Sequence, residues 1–265
     1  MGLTVQQRAE VGALLKAKIK QKLDDYAPET SHMPFHTRLL GADRMAQFSF
    51  VHSVSTTLGS SVFEQIATII ARPHFRRAMH QFKDFNNTIS PAGQSLVQQI
   101  INDLRSGRVR PDKAAETSKV LAVASAAATL EVKRPRIDLF LEGHDGTEYY
   151  VDLKSAKPNI GEFAGLKRQL LEWVAIRGAV KPDAKVRTLL AIPYNPYAPE
   201  PYDRWTLQGL FDLKEEVLVA EEFWSFLGGE GTYEELLEVF GEVGKEMRGV
   251  IEERLVGGWE GRLGL

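Results

Sequence analysis

Apolar residues recur at helical spacing in the first part of the chain. The pattern predicts three helices, over residues 5–25, 60–71 and 90–104. The first ends at the proline-bounded segment 28–34, the second stops before Pro73, and the third has Pro91 in its first turn. The second helix has one apolar stripe, formed by Val62, Phe63, Ile66, Ile69 and Ile70. Glu64 lies off this stripe, among small residues.

The spacing changes to a period of two near Arg136, which is typical of strands. Residues 137–142 and 149–154 flank the turn-forming segment 143–146, so together they predict a β-hairpin. A helix over 163–177, a strand over 187–193 and a helical stretch over 212–256 follow. The order of elements indicates a mixed α/β core. We expect a single domain over residues 1–265, with a helical N-terminal part at about 1–130, the hairpin region at about 135–157 and a helical C-terminal part at about 212–256.

Composition narrows the kind of protein without indicating its activity. With 43% hydrophobic and 26% charged residues among 265, the chain is expected to bury a sizeable core. It has no cysteine, which excludes disulfides, a thiolate nucleophile and a cysteine-ligated zinc site. The longest run of small apolar residues, 120–130, is about half of the roughly 20 residues that a membrane span needs. We therefore expect a cytoplasmic protein with no membrane partner.

The charge is unevenly distributed along the chain. The net charge is −2, but basic residues outnumber acidic ones between 72 and 136, and glutamates dominate after Asp212. One interpretation is that the basic stretch forms a face that binds a polyanion, while the acidic stretch is solvated and is repelled by that polyanion. The other is simply two sets of solvated helix faces.

The hairpin brings together charged side chains that are candidates for metal binding and catalysis. With its turn centred near Asp145, Asp138 and Asp152 face one another, and Lys154 projects from the same face as Asp152. Opposed carboxylates repel each other unless they share a proton or bind a divalent cation such as Mg²⁺. The backbone carbonyl of Leu153 offers a further oxygen ligand. The spacing alone also fits a surface hairpin with scattered charges.

The same residues resemble a known nuclease motif. Residues 135–138 followed by Asp152, Leu153 and Lys154 look like the PD-(D/E)XK signature, with Asp as the second acid and two residues between Pro135 and Asp138. The chain also resembles the TdeIII family of type II restriction endonucleases in five blocks, at residues 34–41, 49–53, 56–65, 152–159 and 194–206. The resemblance implies a restriction-endonuclease-like mixed sheet flanked by helices, with a helical C-terminal region.

The resemblance also implies roles for particular residues. Asp138 and Asp152 would be metal ligands, Lys154 the catalytic lysine, and Glu64 a catalytic and metal-binding glutamate from an earlier helix. The side chains expected to contact DNA are His36, Lys157, Asn159, Lys167, Gln169, Asn195 and Arg204. Asn195 and Arg204 lie in the segment 194–206, which is either a DNA-reading loop or a proline-stiffened loop packed on the core.

The expected function is Mg²⁺-dependent hydrolysis of double-stranded DNA at a short palindrome of the GGNCC kind, by a homodimer with one active site for each strand. The acidic helices after Asp212 are a candidate for the dimer interface. Two other functions remain open: a PD-(D/E)XK repair nuclease without tight sequence specificity, and a DNA-binding module that does not cut.

Overall fold

The computed structural model describes residues 2–25, 33–83, 86–125, 130–154, 162–202 and 205–260. Its helices are α1 (Val5–Asp25), α2 (Pro34–Leu40), α3 (Ala42–Thr57), α4 (Phe63–Ala71), α5 (Pro91–Arg105), α6 (Lys113–Ala124), α7 (Phe163–Val180), α8 (Trp205–Gln208), α9 (Glu221–Gly228) and α10 (Thr232–Glu260). Its strands are β1 (Arg77–Phe82), β2 (Thr88–Ile89), β3 (Leu130–Glu131), β4 (Ile137–Glu142), β5 (Glu148–Leu153), β6 (Val186–Ile192) and β7 (Val217–Val219). A π-helical turn, Leu58–Val62, joins α3 to α4.

The described chain divides into two compact units, one formed by residues up to 66 with those from 231 onward, and the other by residues 67–230. The first unit is helical. In it α1 packs along α10, where Arg8 forms ion pairs with acidic residues of α10 and Lys16 pairs with Glu246 at 2.5 Å. Helix α3, the π-helical turn and the start of α4 form one continuous helical run.

The second unit is built on a mixed sheet. The strand order is β1-β4-β5-β6-β7. Strand β4 pairs antiparallel with β1 and with β5, and β6 pairs parallel with β5 and with β7. A separate ribbon pairs β2 with β3. The parallel strands β5 and β6 are almost entirely buried, and the apolar run Leu189–Ile192 of β6 is typical of such a strand.

Local chemistry fixes the turn between β4 and β5. Gly146 has φ +79°, a conformation that favours glycine, and the Asp145 carboxylate accepts hydrogen bonds from the backbone N–H and hydroxyl of Thr147. Gly143 N–H donates to Thr147 O at 2.8 Å and closes the loop. The register that results pairs Leu139 with Val151. It is the register predicted from the sequence.

Helix α7 runs antiparallel to β5 across one face of the sheet. Gln169 contacts Asp152 at one end, and Arg177 contacts Glu148 at the other. Eight residues of helix rise about 12 Å and four residues of strand about 13 Å, so the two elements remain in step. Helices α5 and α6 pack on α7, whose Trp173 belongs to the main apolar core of this unit.

The expected mixed sheet flanked by helices, with a helical C-terminal region, is confirmed. The helices predicted from residues 5, 90 and 163, the hairpin and the strand at 187–193 are found within a few residues of their predicted bounds. The helical prediction for 212–256 was wrong at residues 217–219, which form β7 because they pair with β6. Strand β1 was not predicted, since it is an exposed edge strand without apolar alternation. No helix among the described residues is both long and apolar enough to cross a membrane.

Candidate active site

The hairpin places the two predicted carboxylates at the same end of its strands. The β4–β5 ladder pairs Leu139 with Val151, and continuing it by one step sets Asp138 opposite Asp152. Directly opposed residues of an antiparallel pair project from the same face. The sequence prediction of a facing pair therefore agrees with the observed register.

The surroundings of Asp138 disfavour the ionised form of its carboxyl group. Burial and the nearby Asp152 carboxylate raise the pKa of Asp138 to about 6, although Asp138 Oδ2 accepts a 2.9 Å hydrogen bond from the backbone N–H of Leu153. The hydrogen bond and the positive charge of Lys154 only partly offset the repulsion. The Asp138 carboxylate is thus affected first by burial and then by the charge of Asp152.

Asp152 is buried and is held by two polar partners. Its side chain is 4% exposed. Oδ1 accepts a hydrogen bond from Gln169 Nε2 at 2.9 Å, and Oδ2 lies 2.8 Å from Lys154 Nζ. Burial raises the pKa of Asp152 against the opposing effect of Lys154. The ammonium of Lys154 is partly exposed, with 29% of its side chain accessible, so it faces both Asp152 and solvent.

The donor atoms fit a hard divalent cation. Two carboxylates meet here, and the carbonyl of Leu153 lies next to one of them in the chain; oxygen ligands of this kind suit Mg²⁺ or Ca²⁺. Asp152 Oδ2 is buried and has no polar partner besides the Lys154 ammonium. In the described part of the chain no three Asp, Glu or His side chains gather as a metal-binding group. A cation at this site would therefore rely on a carboxylate pair, a carbonyl and water.

A second carboxylate pair lies on the same face of the hairpin, and its environment is different. Glu142 and Glu148 are directly paired. Arg76 lies 3.0 Å and Arg77 3.7 Å from Glu142, while Arg177 donates to Glu148 at 2.7 Å and 2.5 Å. Burial acts to raise the pKa of Glu148, but the bonds from Arg177 and Tyr150 hold it below its usual value. Arginines neutralise this pair by direct contact, whereas the Asp138/Asp152 pair has the Lys154 ammonium in contact with Asp152 and the charge of Arg136 acting on Asp138.

The strand next to Asp138 has an unusual backbone conformation. Gln81, the residue of β1 that the ladder sets across from Asp138, has φ +50°. Left-handed backbone is uncommon for a residue with a side chain and is often found beside functional sites. Beyond this residue the Phe82 ring stacks on Phe140, with centroids 4.5 Å apart. Sequence reasoning did not identify Gln81, because backbone strain leaves no mark on residue type.

Two residues of α7 expected to face DNA have different surroundings. Gln169 reaches the site through its bond to Asp152. Lys167 is fully buried, and its ammonium pairs with Glu216 and, at 2.5 Å, with Glu116. Residues two apart on a helix point to nearly opposite sides, so Lys167 does not share the direction of Gln169. Its contact with DNA stays a prediction, and in this structure its ammonium is occupied by the two glutamates.

The remaining predicted residues have surroundings of their own. Glu64 is 4% exposed, in the first unit. His36 is exposed on α2. Asn195 lies in the loop after β6, where its amide donates to Glu200 O at 2.7 Å and accepts from the N–H of Tyr197 at 2.9 Å. The residues outside the described part of the chain are Lys157, Asn159 and Arg204.

Comparisons with known proteins identify the family of this chain. The model of "Type II restriction endonuclease, HinfI" matches residues 3–244. The type II restriction enzyme HgiEI of Herpetosiphon aurantiacus is 29% identical over 95% of this chain and 93% of its own length. The type II restriction enzyme MjaII of Methanocaldococcus jannaschii is 31% identical over 86% of this chain and 67% of its own. The chain therefore belongs to the HinfI family of type II restriction endonucleases, which cut DNA at specific sites.

Proposed function

We propose that the chain cuts both strands of double-stranded DNA at a short palindromic sequence, in a reaction that requires Mg²⁺. The observation that carries this proposal is the facing pair Asp138 and Asp152, with the Lys154 ammonium 2.8 Å from Asp152. The resemblance to TdeIII enzymes, and the GGNCC-like site that it implies, belong to this proposal. So do a single endonuclease domain over the whole chain and a homodimer with one site for each strand.

The two carboxylates and the Leu153 carbonyl would hold the cation. When bound, Mg²⁺ makes water more acidic and offsets the negative charge that develops on the phosphate. Without the cation, burial and then the repulsion from Asp152 raise the pKa of Asp138. Clustering acidic groups in this way is unfavourable for folding and favourable for binding a cation.

Lys154 would act on the reacting phosphate or on water. Its ammonium is anchored by Asp152 and still partly exposed, so it can donate a hydrogen bond to a non-bridging phosphate oxygen or orient the attacking water. The water oxygen attacks phosphorus in line and loses a proton to solvent, while the bond from phosphorus to the leaving sugar oxygen breaks and that oxygen takes up a proton to become a hydroxyl. Gln169 positions Asp152 from α7. Glu64 is a buried acid, and the catalytic and metal-binding role that the resemblance implies for it stays a prediction.

A mapped plasmid tests the proposal directly. The protein is incubated with linear and supercoiled forms of the plasmid in Mg²⁺, in Ca²⁺ and in EDTA, and the fragment ends are sequenced. We expect discrete fragments in Mg²⁺, all ending at one short palindrome, and none in EDTA. A ladder ending at many unrelated sequences would favour the repair-nuclease alternative. Intact DNA with every divalent ion, alongside retained DNA binding, would favour the module that does not cut.

A further inference from the structure

Arg136 is an exposed arginine two residues before Asp138 in the chain. Continuing the β4–β5 register two steps beyond the opposed aspartates sets Arg136 opposite Lys154. This end of the hairpin therefore carries two opposed carboxylates and, next to them, two opposed cations. Like charges directly opposite each other in a ladder are destabilising. An anion bound between the two cations would remove that cost.

The backbone ladder has already ended where these cations stand. Pairing of β4 with β5 runs as far as Leu139 and Val151. Beyond it, the N–H of Leu153 donates to the Asp138 carboxylate and not to the backbone of β4. Arg136 is thus free of ladder bonds to β5 at the end of the hairpin that carries the aspartates.

The charge of Arg136 reaches the proposed site, and its guanidinium has no ion-pair partner among the described residues. Burial, more than any charge, raises the pKa of Asp138, and the charges of Lys154 and Arg136 both act to lower it. The two cations differ in their contacts, because the Lys154 ammonium already lies 2.8 Å from Asp152. Arg136 therefore remains available to an anion from outside the chain.

The backbone on both sides of Arg136 is anchored. Val132, before it, packs against the apolar core and donates its N–H to Asn87 O at 2.7 Å. Ile137, after it, is fully buried in β4. Pro135 has a fixed φ in the segment between them. A guanidinium carried on a segment held at both ends loses less conformational entropy when it binds.

We infer that Arg136 is a catalytic residue, whose guanidinium donates hydrogen bonds to the non-bridging oxygens of the phosphodiester that is cut. The inference rests on the proposed function, since it takes the Asp138/Asp152 pair as the place where the phosphate is attacked. Arginine suits this role because its planar guanidinium keeps its charge and can donate two parallel hydrogen bonds to a phosphate. Lys154 approaches the same phosphate from β5.

The charges of the site call for a second cationic side chain. With one divalent cation bound, the two aspartates and Lys154 leave a single net positive charge, which a phosphodiester monoanion cancels. Attack by a water that has lost its proton brings the phosphate to two negative charges, so one of them is not offset. The Arg136 guanidinium offsets it. Stabilising charge that develops only in the transition state is what accelerates the reaction.

Duplexes with a methylphosphonate in each strand test the inference, because this group removes the negative charge of one phosphate and keeps the rest of the backbone. One duplex carries it at the mapped cleavage position, and a second carries it at the next phosphate. Fluorescence anisotropy in Ca²⁺ compares their affinities with that of the unmodified duplex for wild type, Arg136→Met, Arg136→Lys and Arg134→Met. Arg134 is the matched control, since it is an exposed arginine of the same segment. Circular dichroism should show all four proteins folded.

The quantity measured is the factor by which the methylphosphonate weakens binding. At the cleavage position we expect this factor to be about tenfold smaller in Arg136→Met than in wild type, because the variant has already lost the charged contact that the methylphosphonate removes. Arg136→Lys should lie between them, and Arg134→Met should match wild type. In Mg²⁺ and at saturating unmodified duplex, Arg136→Met should cut about 100-fold more slowly than wild type in a single turnover.

Two results would overturn the inference and leave the proposed function standing, in a preparation whose wild type cuts the unmodified duplex. One is an equal factor at the cleavage position in wild type and Arg136→Met. The other is a factor that shrinks in Arg136→Met only at the next phosphate, which would assign the arginine to that neighbour. A wild type that cuts no duplex would defeat the proposed function and this inference with it.

Discussion

Arg177 donates two hydrogen bonds to Glu148, from Nε at 2.7 Å and from Nη2 at 2.5 Å, and so neutralises that carboxylate. Glu148 and Glu142 form the second carboxylate pair on the hairpin face that carries the proposed active site. Arg177→Met should lower the free energy of unfolding at pH 7 by about 2–3 kcal/mol, because it leaves Glu148 buried opposite Glu142. Denaturant titration measures the loss. Arg187→Met is the control: its pair with Glu215 is about half exposed, and breaking it should cost less than about 1 kcal/mol.

The pair of Arg177 and Glu148 also predicts that the stability of the fold depends on pH. The pKa of Glu148 is held below its ordinary value of 4.5, so its contribution to stability is present above that pH and is lost as the pH falls through the lowered pKa. The stability difference between wild type and Arg177→Met should therefore narrow below about pH 4.5. A difference that stays constant down to pH 3 would show that Arg177 stabilises the fold by packing alone.

Asp138→Asn should make the metal-free protein more stable while abolishing cleavage. The pKa of Asp138 is raised from 3.8 to about 6, so its ionisation destabilises the fold increasingly between those values and fully above them. Asparagine retains the acceptor for Leu153 N–H and removes the repulsion from Asp152. In EDTA at pH 8 we expect a gain of about 1–2 kcal/mol that shrinks toward pH 4. A variant less stable than wild type at pH 8 would contradict the proposed repulsion.

Gln81→Gly tests whether the left-handed backbone beside Asp138 is strained. Glycine accepts φ +50° freely, so the variant should gain about 0.5–1 kcal/mol of unfolding free energy relative to Gln81→Ala, which keeps the strain. Chemical denaturation of the two variants gives the comparison. Equal or lower stability for the glycine variant would mean that the strand holds this conformation without strain.

Asn195→Ala distinguishes a base-reading loop from a structural one. The Asn195 amide already bonds Glu200 O and Tyr197 N–H, so its removal should loosen the loop and weaken cognate and random duplexes by a similar factor. Fluorescence anisotropy with both duplexes, in Ca²⁺, measures this. A loss of about 1–3 kcal/mol confined to the cognate duplex would assign Asn195 to direct base recognition.

The hairpin and its register could be predicted from sequence because local signals determine them. The turn residues and a two-residue period are enough to set Asp138 opposite Asp152 and Lys154 beside it. Strand β7 could not be predicted in this way, since three residues carry no period and only pairing with β6 makes them a strand.

The burial of Lys167 was also beyond local reasoning. It depends on Glu116 and Glu216, which the tertiary fold brings from distant parts of the chain. Helix α7 is buried on most sides, so its sequence shows no clear polar face from which the direction of Lys167 could be inferred. The strain at Gln81 belongs to the same class of feature, since backbone conformation at one residue follows from its neighbours in space.

The most direct test of the account is single-turnover cleavage of a duplex containing one mapped site, measured over a range of Mg²⁺ concentrations. Wild type, Asp152→Asn and Glu142→Gln are compared, the last removing a carboxylate from the arginine-neutralised pair. The account predicts that Asp152→Asn loses cleavage by a factor of about 10³ or more at all Mg²⁺ concentrations and still binds the duplex in Ca²⁺, while Glu142→Gln cuts at close to the wild-type rate. Wild-type cleavage by Asp152→Asn would contradict the assignment of the active site.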